Sequence, residues 1–280
     1  MKMKSLSTNP SAEVKSSGPI RTSLYEREGS MWGRLKRPSP RHFSLPDECR
    51  SDDSDFCRDV VAKGYLTEEQ MHRAAARYQL GKSRSGKTIY WLIDESGVCR
   101  DGHIGSSWVS EMLRHRFPDL AQYVRARHCL FGLHLLNSSY PTGASHLNGS
   151  PPTGGVLAKA SVPAGRARGG LNPVSIVESE ASAVILSELQ PEFTWMAVAN
   201  IRGFSIEMLE PLKGRKVVVY PDTDDTMSNY VTWLDLAELA RHSFRLDISV
   251  SNILEKHATV EQKKRKIDLI DFLFSTHRPP

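Results

Sequence analysis

The chain has 280 residues, of which 39% are hydrophobic and 25% are charged, as in a globular protein with one large domain or two smaller ones. It has no apolar run of the roughly 18 residues that a membrane span needs, and residues 1–10 lack the apolar stretch of a secretory signal. We therefore expect a cytoplasmic protein that does not act at a membrane. The four cysteines form no Cys-x-x-Cys pair, which favours reduced thiols over a zinc ribbon.

Basic residues are concentrated near the N-terminus of this chain, whose net charge is +5. Residues 1–41 contain nine Lys or Arg and only three acidic residues, and residues 1–45 are rich in Ser and Pro without a sustained hydrophobic period. We predict a basic disordered tail over residues 1–45. A nucleic-acid-binding arm and a merely solvated terminus both have this composition.

Helix and strand patterns alternate in residues 46–136, which we predict to form a small α+β subdomain. Thr67 and Gln70 have the spacing of a capping box, which marks the start of a helix. The β-branched and aromatic residues at 88–94 are typical of a strand. In chain order, we predict helix, helix, strand, strand and helix at residues 55–63, 67–78, 88–94, 98–105 and 108–117.

The stretch 137–171 is rich in Gly, Pro and Ser and poor in apolar residues, so we predict a linker there. After it, short apolar runs alternate with helical patterns through residues 172–280, as in a parallel sheet built from βαβ units. The predicted strands lie at residues 174–177, 194–199, 216–220 and 245–250. The predicted helices lie at residues 180–189, 205–212, 229–242 and, near the C-terminal end, 260–275.

Three carboxylates follow two of these predicted strands directly. Glu178 comes after the first strand, and Asp222 and Asp224 come after the third. Ligands of open α/β sheets bind beyond the carboxyl ends of the strands, so these acids converge if the two strands are neighbours. Carboxylates at one place repel each other unless a divalent cation removes that cost. Mg²⁺ (or Mn²⁺), which binds a few carboxylates together with substrate phosphates, is the expected cofactor.

The same residues resemble the signature of the Toprim family, in which a strand ending in Glu is followed by a strand ending in Asp-x-Asp. Other segments are similar to the catalytic core of bacterial primases and to primase-like Toprim proteins of mobile elements, namely residues 64–70, 77–81, 89–97, 129–133, 177–180 and 212–217. The resemblance implies an α/β fold with a Toprim-type (Rossmann-like) parallel sheet flanked by helices. It also implies a smaller α+β N-terminal subdomain.

By this resemblance, Glu178 is a general acid or base or a metal ligand, and Asp222 and Asp224 bind the metal. Asp268 and Asp271 add negative charge nearby. The implied function is primase-like nucleotidyl transfer on DNA or RNA–DNA in mobile-element replication or transfer, with a helicase or relaxase as partner. A nuclease that uses the same site is one alternative. A non-catalytic DNA-binding accessory protein is the other, because Ser179 stands where the family has Gly.

Residues 81–88 match the pattern Gly-x₄-Gly-Lys-Thr, but they follow a predicted helix and open a strand, which is the reverse of a phosphate-binding P-loop. We expect instead a basic turn, in which Arg84 and Lys87 reach backbone phosphates, or a plain solvated loop. Residues 263–266 are expected on the exposed side of the last helix. Four further basic residues are candidates for a nucleic-acid groove, with a solvated face as the alternative: Arg114, Arg116, Arg125 and Arg127.

Overall fold

The computed structural model describes residues 47–116, 128–137, 172–199 and 204–275. The predicted tail over residues 1–45 and the predicted linker, apart from its first residue, lie outside the described residues. The helices are α1 Asp55–Ala62, α2 Glu68–Tyr78, α3 Val109–Arg116, α4 Glu180–Leu189, α5 Ser228–Phe244, α6 Ile253–His257, α7 Val260–Lys264 and α8 Leu269–Ser275. The strands are β1 Gly81–Lys82, β2 Thr88–Ile93, β3 Cys99–Ile104, β4 Ser107–Trp108, β5 Val174–Val177, β6 Thr194–Ala197, β7 Lys216–Val219 and β8 Asp247–Val250.

The first two helices begin where the sequence predicts. The Thr67 hydroxyl accepts a hydrogen bond from the Gln70 backbone N–H at 3.2 Å, and the Gln70 side chain accepts from the Thr67 backbone N–H at 2.9 Å. This reciprocal pair is the predicted capping box, and it satisfies two backbone donors that a helix start leaves open. α1 is capped in a similar way by the side chain of Ser54.

Strands β1 to β4 form an antiparallel sheet in the order β1-β2-β3-β4. The turn between β2 and β3 is stabilised by Asp94, whose carboxylate accepts from the backbone N–H groups of Ser96 and Val98, both at 2.9 Å. Residues 83–87 form the tight connection between β1 and β2, so the Gly-x₄-Gly-Lys-Thr pattern lies in a hairpin. The strand–loop–helix arrangement of a P-loop is therefore not formed there, as the sequence indicates.

Strands β5 to β8 form a parallel sheet in the order β6-β5-β7-β8, with helices packed on it. The predicted α/β architecture with a parallel sheet flanked by helices is confirmed. All four residues of β5 are buried, and Ile176 pairs with Met196 on one side and with Val219 on the other. The continuous apolar runs of β5 and β7 are explained by this central position, because such strands are covered on both faces.

Both sheets belong to the same compact unit and share one apolar core. Tyr78 on α2 is fully buried, stacks on Phe131 with a centroid distance of 5.0 Å, and donates a 2.8 Å hydrogen bond to the carbonyl of Trp195 on β6. Arg73 and Arg77 of α2 also form ion pairs with the buried Glu188 of α4, each at 2.8 Å. The region before the predicted linker therefore packs against the parallel sheet, and two ion pairs to the buried Glu188 side chain stabilise this contact.

The predicted single helix over residues 260–275 is wrong, because the structure divides this segment into α7 and α8. Lys266 adopts a left-handed backbone conformation with φ +54°, which ends helical propagation. The carboxylate of Asp268 then caps α8 by accepting from the backbone N–H of Asp271 at 2.8 Å. The predicted helix over residues 205–212 is a 3₁₀ helix, Ile206–Leu212, and it contains Pro211.

In the part of the chain that the structure describes, no helix is both long and apolar enough to cross a membrane.

Candidate functional site

Glu178 and Asp222 meet at the carboxyl edge of the parallel sheet. Glu178 directly follows β5, and Asp222 comes three residues after the end of β7. Because these strands are hydrogen-bonded neighbours that run in the same direction, both residues emerge at one edge. The backbone N–H of Asp222 donates a 3.2 Å hydrogen bond to Oε1 of Glu178. The expected convergence of these two acids is thus present in the fold.

The first turns of α5 orient the carboxylate of Glu178. Its Oε1 accepts hydrogen bonds from Nδ2 of Asn229 and, at 3.0 Å, from Nε1 of Trp233. Asn229 Nδ2 also donates to the carbonyl of Asp222 at 2.9 Å, so the Asn229 side chain connects the Glu178 carboxylate to the backbone of Asp222. No hydrogen bond from the described residues reaches Oε2 of Glu178, which leaves that oxygen available to a ligand or a proton.

Two more acids approach Asp222 from the start of α8. Burial, together with the negative charges of Glu178, Asp268 and Asp271, raises the pKa of Asp222 to about 9. Burial also raises the pKa of Asp268, whose carboxylate accepts a hydrogen bond from the Ser182 hydroxyl on α4. These four residues, Glu178, Asp222, Asp268 and Asp271, are called the acid cluster below.

No arginine or lysine among the described residues forms an ion pair with a member of the acid cluster. Carboxylates that share a site without a cation must either stay protonated or bind a positive ligand. The raised pKa of Asp222 is the signature of that situation. The acid cluster supplies carboxylate oxygens, which are the type of donor that Mg²⁺ and Mn²⁺ prefer.

Asp224 has a different environment from the one that its predicted role requires. Its two oxygens accept hydrogen bonds at the beginning of α5, from the backbone or hydroxyl groups of Thr226, Ser228 and Asn229. Burial acts to raise the pKa of Asp224, but these hydrogen bonds together hold that pKa below its usual range. The structure shows Asp224 capping α5, and its assignment as a metal ligand stays a prediction.

The loop that carries Asp222 is tied to the C-terminal helices by a network that the sequence did not reveal. The Thr223 hydroxyl donates to Glu255 at 2.8 Å, and Lys263 Nζ donates to the other Glu255 oxygen at 2.7 Å. The Thr223 backbone N–H also donates to the carbonyl of Ile267 at 3.1 Å, close to Asp268. Lys263 was expected on an exposed face, but only 20% of its side chain is exposed. No local motif marks these residues, because their contacts form only in the folded chain.

Within the residues that the structure describes, no group of three or more His, Cys, Asp or Glu side chains is arranged to hold a metal ion. The acid cluster is consequently a set of neighbouring carboxylates, of which Glu178 and Asp268 have oxygens engaged in hydrogen bonds. The donors are close in the fold, although they do not form a complete coordination shell.

The basic residues proposed for nucleic-acid contact are only partly described. Arg84 and Lys87 are exposed on the hairpin between β1 and β2. Arg114 and Arg116 lie on α3, but their side chains are outside the description, and Arg125 and Arg127 lie outside the described residues altogether. Their contact with nucleic acid stays a prediction.

The family to which the chain belongs follows from a match to residues 56–153 and 167–223, which together are more than half of the sequence. The matched residues include Glu178 and Asp222, and they end before Asp224. None of the curated proteins compared with the chain matches it. The chain belongs to the DUF6371 family, which is described as a domain of unknown function.

Proposed function

We propose that this protein is a metal-dependent, Toprim-type protein that acts on nucleic acid, with primase-like nucleotidyl transfer in mobile-element DNA replication or transfer as its reaction. The observation that carries the proposal is the acid cluster at the carboxyl edge of the parallel sheet. Glu178 and Asp222 come from neighbouring strands, and Asp222 has a pKa raised to about 9 by burial and by the other acids. Such a site is stable in its charged form only with a cation present.

In the proposed mechanism, Asp222, together with Asp268 or Asp271, would hold a Mg²⁺ or Mn²⁺ ion. Such an ion would supply positive charge that stabilises the substrate phosphates and the charge that develops as the new bond forms and the leaving group departs. Glu178 contributes its open oxygen, Oε2, which accepts the proton of the attacking hydroxyl. Asn229 and Trp233 hold the other oxygen of Glu178 and so keep the carboxylate in one orientation. Asp224 fixes the start of α5, which carries Asn229.

The test is template-dependent incorporation of ribonucleotides with Mg²⁺ or Mn²⁺, compared between the wild type and Glu178→Gln. We expect the substitution to lower the rate by at least about a hundredfold, the scale of general acid–base catalysis. Glu192→Gln is the matched control, because Glu192 is exposed and precedes β6 on the opposite edge of the sheet. Equal activity of the wild type and Glu178→Gln would end the catalytic assignment. The same samples incubated with labelled DNA measure strand cleavage, the alternative reaction of this site.

The engagement of Asp224 in a helix cap favours a second candidate, a DNA-binding accessory protein without catalysis. In that case the acids shape the fold, and DNA is held by basic residues elsewhere. Salt-sensitive DNA binding that is unchanged when Glu178, Asp222 and Asp268 are replaced together by their amides would support this candidate. Loss of metal-dependent activity in the same triple variant would support the enzyme.

A further inference from the structure

A histidine of the antiparallel sheet contacts a buried glutamate that lies two residues after Glu178 in the chain. Nδ1 of His103 on β3 lies 2.7 Å from Oε1 of Glu180, and the imidazole N–H donates to the carboxylate. Glu180 is the first residue of α4, and Ser179 alone separates it from Glu178. Two residues of extended chain span at most about 7 Å, so Glu180, the anchor of His103, emerges at the same strand end as Glu178.

His103 belongs to a stack of three aromatic rings. Its ring centroid lies 4.7 Å from that of Trp108, and the ring centroid of His128 lies 4.0 Å from that of Trp108. His128 Nε2 in turn lies 3.3 Å from Oδ2 of Asp101. Asp101 is buried and also accepts hydrogen bonds from the backbone N–H and the hydroxyl of Ser110 at 3.0 and 2.6 Å. Each imidazole is therefore held by its own carboxylate, and both imidazoles pack against the indole ring of Trp108.

Each fixed imidazole has one nitrogen that the protein does not use. Among the described residues, nothing bonds to Nε2 of His103 or to Nδ1 of His128. Neither nitrogen is a buried unpartnered atom among the described residues, and the His103 and His128 side chains are 14% and 25% exposed. The hydrogen bond to Glu180 raises the pKa of His103, although burial opposes this, and a protonated ring donates from its outer nitrogen. A carboxylate behind a histidine is the arrangement by which proteins orient an imidazole toward a ligand.

We infer that His103 and His128 form a phosphate-binding site that holds the backbone of a nucleic acid beside the acid cluster. This inference rests on the proposed function for the nature of the polyanion. An acid cluster repels phosphate, so a substrate needs donors that position its backbone independently of the metal. A protonated imidazole donates from its outer nitrogen, and charge-assisted hydrogen bonds to phosphate are stronger than neutral ones. Trp108 is the positioning residue, since its ring lies against both imidazoles.

The experiment measures binding of a fluorescein-labelled single-stranded DNA oligonucleotide by anisotropy in EDTA, so that the metal plays no part. We expect His103→Gln and His128→Gln each to weaken binding about tenfold, because each removes a hydrogen bond to phosphate. The matched control is His72→Gln. His72 has the same kind of contact, Nδ1 to Asp52 at 2.7 Å, but it is exposed on α2. Unchanged binding in both test variants would overturn the inference.

A second measurement uses the wild-type protein, so that it does not depend on the folding of a variant. The imidazole resonances of His103 and His128 should shift when the oligonucleotide is added, and those of His72 should not. A shift caused by Zn²⁺ but not by the oligonucleotide would overturn the inference in favour of a metal site. Wild-type protein that binds no oligonucleotide would overturn it as well.

The two proposals fail separately. If neither nucleotidyl transfer nor cleavage occurs while His103→Gln still weakens DNA binding, the catalytic function falls and the phosphate site stands. If Glu178→Gln abolishes activity while binding by the two histidine variants equals that of the wild type, the catalytic function stands and the phosphate site falls.

Discussion

The backbone N–H of Asp222 donates to the side chain of Glu178 at 3.2 Å, although 44 residues separate them in the chain. This contact exists because β5 and β7 are adjacent parallel strands, whose carboxyl ends reach the same edge of the sheet. It makes the position of the Glu178 carboxylate depend on the backbone of the Asp222 loop. A change in either residue therefore acts on the whole acid cluster.

Replacing Asp222 by Asn should stabilise the metal-free protein at pH 8. The folded-state pKa of Asp222, about 9, lies above its ordinary value of 3.8. Its contribution to stability is therefore fully present below pH 3.8, and it is lost as the pH rises toward 9. Asn carries no charge and avoids this loss, so we expect a gain of about 1–2 kcal/mol, or about 2–8 °C in Tm. Thermal unfolding in EDTA measures the gain.

Mg²⁺ supplies the control for this prediction. It should raise the Tm of the wild type and have a smaller effect on Asp222→Asn, because an ion that binds the folded protein stabilises it by mass action. An Asn variant that is less stable than the wild type in EDTA at pH 8 would contradict the interpretation of Asp222 as a strained buried acid.

Replacing Lys263 by Met should destabilise the protein by about 2–4 kcal/mol, since it leaves the buried Glu255 carboxylate without its cation. Glu255 also accepts a hydrogen bond from the hydroxyl of Thr223, the residue after Asp222. Because the substitution disturbs the loop that carries Asp222, we expect the affinity for Mg²⁺ to fall as well. Lys264→Met is the matched control. Lys264 forms an exposed pair with Glu261 at 3.6 Å, and such pairs contribute about 0–1 kcal/mol. Urea unfolding and metal titration of the two variants would show the difference, and equal stability of both would refute it.

Substitutions of Asp224 distinguish a helix cap from a metal ligand. Ala should cost about 0.5–2 kcal/mol through loss of the cap, whereas Asn, which keeps one accepting oxygen and replaces the other with a donor, should recover only part of that stability. If the cap is the main role, Asn should retain metal-dependent activity within about threefold, a margin well below 1.4 kcal/mol. Activity that falls in Asn as far as in Ala, while Asn is the more stable of the two variants, would instead identify Asp224 as a ligand.

The imidazole of His103 should titrate above its ordinary pKa of 6.5, and Glu180→Gln should lower that pKa. The sign follows from the hydrogen bond to Glu180, which favours the protonated ring. The stability contributed by this pair is fully present below pH 6.5, and it is lost as the pH rises through the folded-state pKa. NMR titration of the imidazole resonances measures both values. A pKa in the wild type at or below 6.5 would contradict the contact.

Much of the fold could be predicted because its elements have local causes. Thr67 and Gln70, which cap α2, are only three residues apart in the chain. The apolar runs of β5 and β7 reflect burial on both faces of the sheet. The C-terminal segment could not be predicted in this way. Its apolar residues are compatible with one helix, and the break depends on the left-handed conformation of Lys266 and on the cap at Asp268.

By itself, the sequence determined the helices, the alternating strands and the two strand ends at which Glu178 and Asp222 stand, because periodicity and strand-end position are local properties of a chain. Only the tertiary structure decided which acids face one another. Asp224 turns into the cap of α5, whereas Asp268 and Asp271, which the Toprim resemblance had placed nearby, approach Asp222 from a helix more than forty residues further along. The reason is physical: hydrogen-bond partners and burial come from packing, and no spacing in the sequence records them.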